Sequence, residues 1–130
     1  MARRRQTNPA CPCGLGQPYE ECCGPAHRGR PPVTAEALMR SRYTAFALDE
    51  TGYLLSSWHP ATRPAEIEAD PQLRWVGLDV LRSSGGGMFD AEGVVEFRAQ
   101  FRDGGRPGEL REVSRFVRHG GHWVYWGSAL

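Results

Sequence analysis

Hydrophobic positions recur along this chain in two rhythms, and the rhythm changes near Leu73. Before it, Leu38, Met39, Arg42, Tyr43 and Phe46 fall at i, i+1, i+4, i+5 and i+8, the spacing of one helical face. Thr34 stands just ahead of this run and can cap a helix that begins at Ala35. Asp49 is placed to cap a second, shorter helix with Tyr53, Leu54, Ser57 and Trp58 on its inward side. That helix must stop before Pro60, because a residue preceding proline avoids helical angles. Residues 60–71 hold Pro60, Pro64 and Pro71 and read as a loop, with room for a short helical turn at 66–69.

From Leu73 onward the period is two. Val76, Leu78 and Val80 alternate with Trp75, Gly77, Asp79 and Leu81, and Val95, Phe97, Ala99 and Phe101 alternate with Glu96, Arg98 and Gln100. Val113, Arg115 and Val117 share a face opposite Ser114 and Phe116, and Val124 and Trp126 alternate with Trp123 and Tyr125. Four strands follow from this pattern. The turns between them are short and glycine-rich, so the strands are antiparallel neighbours; parallel crossovers need a dozen or more residues. The Gly85–Gly87 run is a turn and no phosphate cradle, since neither Lys-Ser/Thr nor a helix start follows it. Helices followed by an antiparallel meander predict an α+β fold with the helices on one sheet face.

Residues 24–33 carry Gly24, Pro25, Gly29, Pro31 and Pro32 and read as a linker. It divides a short N-terminal segment, 1–30, from a domain over 31–130 that is long enough for one core. Hydrophobic residues make up 40% and charged residues 24%, the balance of a soluble globular protein. Net charge is +1, so there is no global basic field. Arg3, Arg4 and Arg5 form a basic arm, read first as a solvated terminus and second as a weak tether to nucleic acid or the ribosome. No apolar run approaches the roughly 18 residues of a membrane span. The start has no apolar segment behind its arginines, so no secretory signal is predicted and the expected location is the cytoplasm, where thiols stay reduced.

All four cysteines lie in one stretch, Cys11-Pro-Cys13 and Cys22-Cys23, separated by eight residues. Clustered cysteines in a reducing compartment mean metal or redox chemistry before structural disulfides. Zn²⁺ takes four thiolates in a tetrahedron. Pro12 fixes φ inside the first pair, Gly14 and Gly16 permit tight turns, and the intervening loop can fold back as a knuckle with Tyr19 as its large ring. The expected metal ligands are therefore Cys11, Cys13, Cys22 and Cys23, around one structural Zn²⁺. His27 is a substitute ligand. Disulfides between Cys11 and Cys13 or between Cys22 and Cys23 would be strained, and cross-pairs need an oxidising compartment. So short a segment cannot bury a core and should be ordered only with metal, while the sheet domain keeps its own.

The residues Cys11-Pro-Cys13-Gly14, Gly16, Tyr19 and Cys22-Cys23-Gly24 resemble the SEC-C motif, the zinc-binding tail of the SecA preprotein translocase ATPase. Leu15 stands where the motif usually has Ser, and Gln17-Pro18 where Lys-Lys is common. The resemblance thus carries over the metal ligands and not a ribosome- or chaperone-contacting surface. The order of elements resembles the nuclear-transport-factor-two-like cone, a curved sheet wrapped around a long helix. Arg40-Ser-Arg-Tyr-Thr-Ala-Phe46, Trp58-His-Pro60, Gly93-Val-Val-Glu-Phe97 and Ser114-Arg-Phe-Val117 resemble the YchJ family of bacterial proteins over almost the whole chain. That resemblance implies the cone fold and the zinc motif, and brings no activity with it.

A cone of this kind can hold a pocket. The candidate residues for one are Tyr43, Trp58, His59, Trp75, Asp79, Glu96, Arg98, Arg115 and Trp126. His59 can act as acid or base near neutral pH. Asp79, if buried among Trp75 and Leu81, becomes a base. Arg115 can bind an anion. The plainer reading makes His59 a helix-end cap, pairs Asp79 with Arg115 and Arg42 with Glu96, and puts the aromatic rings in the core. Two functions follow. The first is a macromolecular adaptor that docks through its zinc knuckle, with protein as the foremost partner and the ribosome or nucleic acid behind it. The second is a small-molecule enzyme, an isomerase, dehydratase or hydrolase, with zinc purely structural. A homodimer through an exposed sheet face lined by Phe97, Phe101 or Trp123 is compatible with both.

Overall fold

The computed structural model describes residues 9–129. The arginines of the N-terminal arm lie outside this range. Four helical segments precede four strands: a 3-10 turn at Tyr19–Glu21, α1 at Gly24–His27, α2 at Ala35–Leu48 and α3 at Thr51–Ser56, then β1 at Leu73–Gly85, β2 at Glu92–Asp103, β3 at Arg106–His119 and β4 at His122–Ser128. The strands form one antiparallel meander in the order β1-β2-β3-β4. The helices pack on one face of it, as the change of period predicts.

Helix α2 starts where expected. The Thr34 hydroxyl accepts the Ala37 N–H at 3.1 Å, and the Ala35 N–H is taken by the Gly86 carbonyl at 2.9 Å. A Cβ at Gly86 would stand 2.7 Å from that of Ala35, and one at Gly93 only 2.5 Å from the Gly86 Cα. The glycine-rich turn is therefore what lets β1 and β2 close against the helix N-terminus. Asp49 does not cap the second helix. It ends α2 in the left-handed region, φ 60°, a conformation Asp tolerates better than most residues, and α3 begins two residues later, behind Glu50. No helical turn forms over 66–69.

The core holds Ala35, Leu38 and Met39 of α2 against Val95, Phe116 and Trp123, with Leu78, Val80, Phe97 and Tyr125 around them. Strand β1 departs from simple alternation. Trp75 pairs with Phe101 and Gly77 with Gln100, so Val76 is an extra, unpaired residue; Leu81 is a second one. Each bulge shifts the phase of the strand by one. Trp75 thereby joins Leu78 and Val80 on the inner face, and Val76 is left 54% exposed. The chain after α3 also pairs with the sheet: Tyr125 donates to the Ser57 carbonyl at 2.9 Å, and His59 donates to the Tyr125 carbonyl at 2.8 Å. Phe97 and Trp123 pack inward, so neither lines an outer face. Among the described residues no helix is long and apolar enough to cross a membrane.

Candidate metal centre

The knuckle is built by local backbone geometry. Gly14 and Gly16 sit at φ +86° and +90°, which only glycine adopts without strain. Between them the chain reverses, so that Cys11 donates its N–H to the Gln17 carbonyl at 2.8 Å and Tyr19 donates to Pro9 at 3.0 Å. The 3-10 turn then carries Cys22 and Cys23 back over the first pair. One Sγ from each of Cys11, Cys13, Cys22 and Cys23 lies within 4.8 Å of all the others. Zn–S bonds of about 2.3 Å set the sulfurs of a tetrahedral site about 3.8 Å apart, so the cluster has the size of a single-ion cage. The sulfurs are not bonded to one another: Cys13 and Cys22 stand 3.5 Å apart, and all four cysteines are free.

The thiols differ in proton affinity because they share one pocket. Cys13 is lowered to about 5, chiefly by the hydrogen bond from Cys23, with the Leu15 N–H and the other two cysteines adding to it against the cost of burial. Cys22 is pushed up to about 12, by burial first and then by its bond to Cys13. Cys23 rises further still, because it donates to Cys13 and is buried. A thiol binds a divalent ion as thiolate, so a metal held here would release protons from the cluster.

The cluster leans on helix α2. Thr44, fully buried, donates its hydroxyl to the Cys23 sulfur at 3.3 Å and stands 3.6 Å from that of Cys11. Arg40 donates to the Cys13 carbonyl at 2.9 Å and pairs with Glu36 at 3.0 Å. His27 is not aimed at the sulfurs. Its Nε2 lies 2.8 Å from the Ser41 carbonyl, which can only accept, so the neutral ring carries its proton there. Nδ1 then accepts from the Tyr19 hydroxyl at 2.8 Å. The ring spans knuckle and helix instead of serving as a spare ligand. Cys11, Cys13 and Cys23 also share an apolar cluster with Tyr43 and Ala99, with Trp75, Leu78 and Phe97 beside it.

Residues 34–128 match the family described as YchJ, middle NTF2-like domain. The chain belongs to that family. Residues 8–25 match the SEC-C motif, which contains all four cysteines. The YchJ relatives include a UPF0225 protein of Streptomyces coelicolor, 51% identical and covering 90% of this chain and 92% of its own length. Another, from Chromobacterium violaceum, is 45% identical over 96% of each. The fold is similar to the solution structure of a SEC-C motif containing protein from Rhodopseudomonas palustris, with TM-score 0.79, 37% identity and coverage of 94% of this chain and 99% of that one. A crystal structure of a SEC-C motif containing protein from Psychrobacter arcticus gives TM-score 0.74 and 26% identity over 93% and 82%. The two family matches together support a metal-binding type of motif joined to an NTF2-like domain.

A second feature borders the same apolar cluster. A cavity of about 290 Å³ opens between α2 and the sheet, walled by the rings of Tyr43, Trp58, Trp75, Phe97, Phe116 and Tyr125 and reached by Arg42, Glu112 and Ser114. Three ring residues singled out by sequence, Tyr43, Trp58 and Trp75, line it. The three residues proposed for chemistry do not. Asp79 stands on the outer face of the sheet, half exposed, 3.4 Å from Arg98. Arg115 pairs with Glu92 at 3.0 Å. His59 lies edge-on to His119 and to Trp126 with ring centroids 4.8 Å from each, and its Nδ1 accepts the Ala61 N–H. The expected Asp79–Arg115 and Arg42–Glu96 pairs are replaced: Glu96 holds Arg82 and Arg111, and Arg42 turns inward. Thr44, Ser41 and Glu112 were not legible as site residues, since a polar group on a helix or strand reads as solvent-facing unless a partner is known.

Proposed function

We propose that this chain is a zinc-binding adaptor in which Cys11, Cys13, Cys22 and Cys23 hold one structural Zn²⁺ and the ordered knuckle docks a protein partner. The observation that carries the reading is the convergence of four free sulfurs within 4.8 Å of one another in a largely buried site. Soft thiolates in a tetrahedral set favour Zn²⁺ over hard cations, and four protein ligands leave no open position for a substrate or an activated water. The ion's part is then to hold the knuckle shut.

Docking is supported by the surface that remains. Leu15 at the tip of the knuckle is 55% exposed and Val33 on the linker 58%. Both border a shallow apolar depression that also takes in Pro31, Pro32, Arg30 and Arg40. An apolar floor with Arg30 at its edge suits an acidic, partly apolar protein segment. The enzyme reading lacks comparable support, because His59, Asp79 and Arg115 converge on no common space.

The test is affinity capture from a reduced extract with three forms of the chain: intact, Leu15→Glu and Cys13→Ser. The reading expects a partner retained by the intact chain and lost by both variants, with Leu15→Glu still carrying its metal. Equal capture by all three would remove the docking role from the knuckle.

A further inference from the structure

Arg42 is the least expected group in the interior. Its side chain is 5% exposed, and Nη1 donates to the Leu54 carbonyl at 2.7 Å and to the Ser57 hydroxyl at 2.6 Å. Those two acceptors are neutral. Among the described residues no carboxylate forms an ion pair with it, and Nε and Nη2 have no protein acceptor. The guanidinium is wedged between two rings, with its carbon 5.0 Å from the centroid of Trp58 and 4.7 Å from that of Tyr125. Burial lowers it to about 10, which still leaves it charged at neutral pH. A buried cation with no ion-paired carboxylate is costly, and the nearby charge of Glu112 together with ring stacking offsets only part of that cost.

The same wall offers a second unused donor. Trp58 Nε1 is buried and has no hydrogen-bond partner among the described residues. Native interiors rarely leave such a group unpaired without a reason. Both donors belong to residues that line the 290 Å³ cavity, whose remaining surface is almost wholly aromatic and aliphatic. Phe46 and Leu110, each 40% exposed, mark its mouth. An apolar pocket with a few convergent polar groups is the usual form of a small-molecule site. Glu112 sets a limit on the charge of the guest. It also lines the cavity, with Oε2 accepting from Ser114 at 2.6 Å and from Tyr125 at 2.8 Å. Tyr125 therefore has the guanidinium over its ring face and the carboxylate on its hydroxyl. One anionic group fits against Arg42; a second negative charge would meet Glu112.

We propose that the cavity between α2 and the sheet binds a small aromatic monocarboxylate, with the Arg42 guanidinium contacting its carboxylate and the ring packed among Tyr43, Trp75 and Phe97. Arg42 is then the anchor and Trp58 Nε1 an additional donor. Glu112 excludes doubly charged guests such as a phosphate monoester. The site shares Tyr43 and Ala99 of its wall with the packing of the cysteines but needs no metal chemistry.

The test uses the metal-loaded, reduced full chain, with benzoate, phenylacetate, phenylacetamide and phenyl phosphate as probes. Binding is read by calorimetry and by the indole N–H resonance of Trp58. Phenylacetate or benzoate should bind and shift that resonance, with phenylacetamide and phenyl phosphate each weaker by at least about tenfold, the equivalent of roughly 1.4 kcal/mol. Arg42→Met should abolish the preference for the acid over the amide. Because that variant removes a buried group and can unfold, Leu110→Trp, a change at the mouth alone, is the companion: it should block the acids in a folded protein. Equal binding of acid and amide, binding unaffected by Leu110→Trp, or no binding of either acid up to about 10 mM would overturn the proposal.

Discussion

The knuckle and the sheet domain meet on one helix but are held by different physics. Toward the sheet, α2 presents Leu38 and Met39, and what holds that side is apolar area removed from water. Toward the knuckle it presents Arg40, Ser41 and Thr44, and there a handful of directed contacts to a carbonyl, an imidazole and two sulfurs is added to the packing of Tyr43 on the cysteines. The first kind of contact is spread over many atoms, so loss of one group weakens it by degrees. The second fails when one partner is removed, because a buried polar atom is then left unpaired. Helix α2 is thus buried on two sides, and the knuckle adds directed contacts and sulfur chemistry where the domain depends on packed volume.

Four changes test that contrast. The largest effect is expected from Cys13→Ser, or from chelation of the intact chain. Metal binding in zinc-finger peptides contributes about 10–16 kcal/mol, so residues 9–30 should lose amide protection in hydrogen exchange. Since the cysteines share packing with Tyr43 and Ala99, the melting temperature of the domain should fall as well while its strands stay protected. Complete unfolding of the sheet under chelator would show that the two regions are one cooperative unit. Leu38→Ala comes next, with a loss of about 2–5 kcal/mol in denaturant melts and unchanged metal content. A drop in metal content in the folded variant would mean that core packing sets the sulfur geometry.

Smaller and more local is Thr44→Val, which keeps volume but removes the hydroxyl beside Cys11 and Cys23. Metal affinity, read by competition with a chelating dye, should weaken by about 10–100-fold. Unchanged affinity would make Thr44 a packing residue only. Thr34→Ala should be the mildest, lowering stability by about 1 kcal/mol through the lost cap without touching metal or knuckle.

The two regions also differed in how openly the sequence declared them. The sulfur cluster was legible because four cysteines at such spacings have few other uses in a reduced chain, and Cys11, Cys13, Cys22 and Cys23 do converge. The four strands were legible because apolar area imposes a period. What escaped were effects of one residue on the phase of many: the extra residues Val76 and Leu81 turn Trp75 inward, and nothing local marks them as bulges. Asp49 was misplaced because one residue type suits both the start of a helix and a left-handed end. Ser41, Thr44 and Arg42 escaped for a third reason. Their partners are distant in sequence, so a polar residue that serves the interior looked the same as one that serves the surface.

Elemental analysis of the chain, purified under reducing conditions without added metal, bears most directly on the central claim. One zinc per chain is expected, falling to none in Cys13→Ser. A metal-free protein with four titratable thiols, or with sulfurs joined as disulfides, would contradict it.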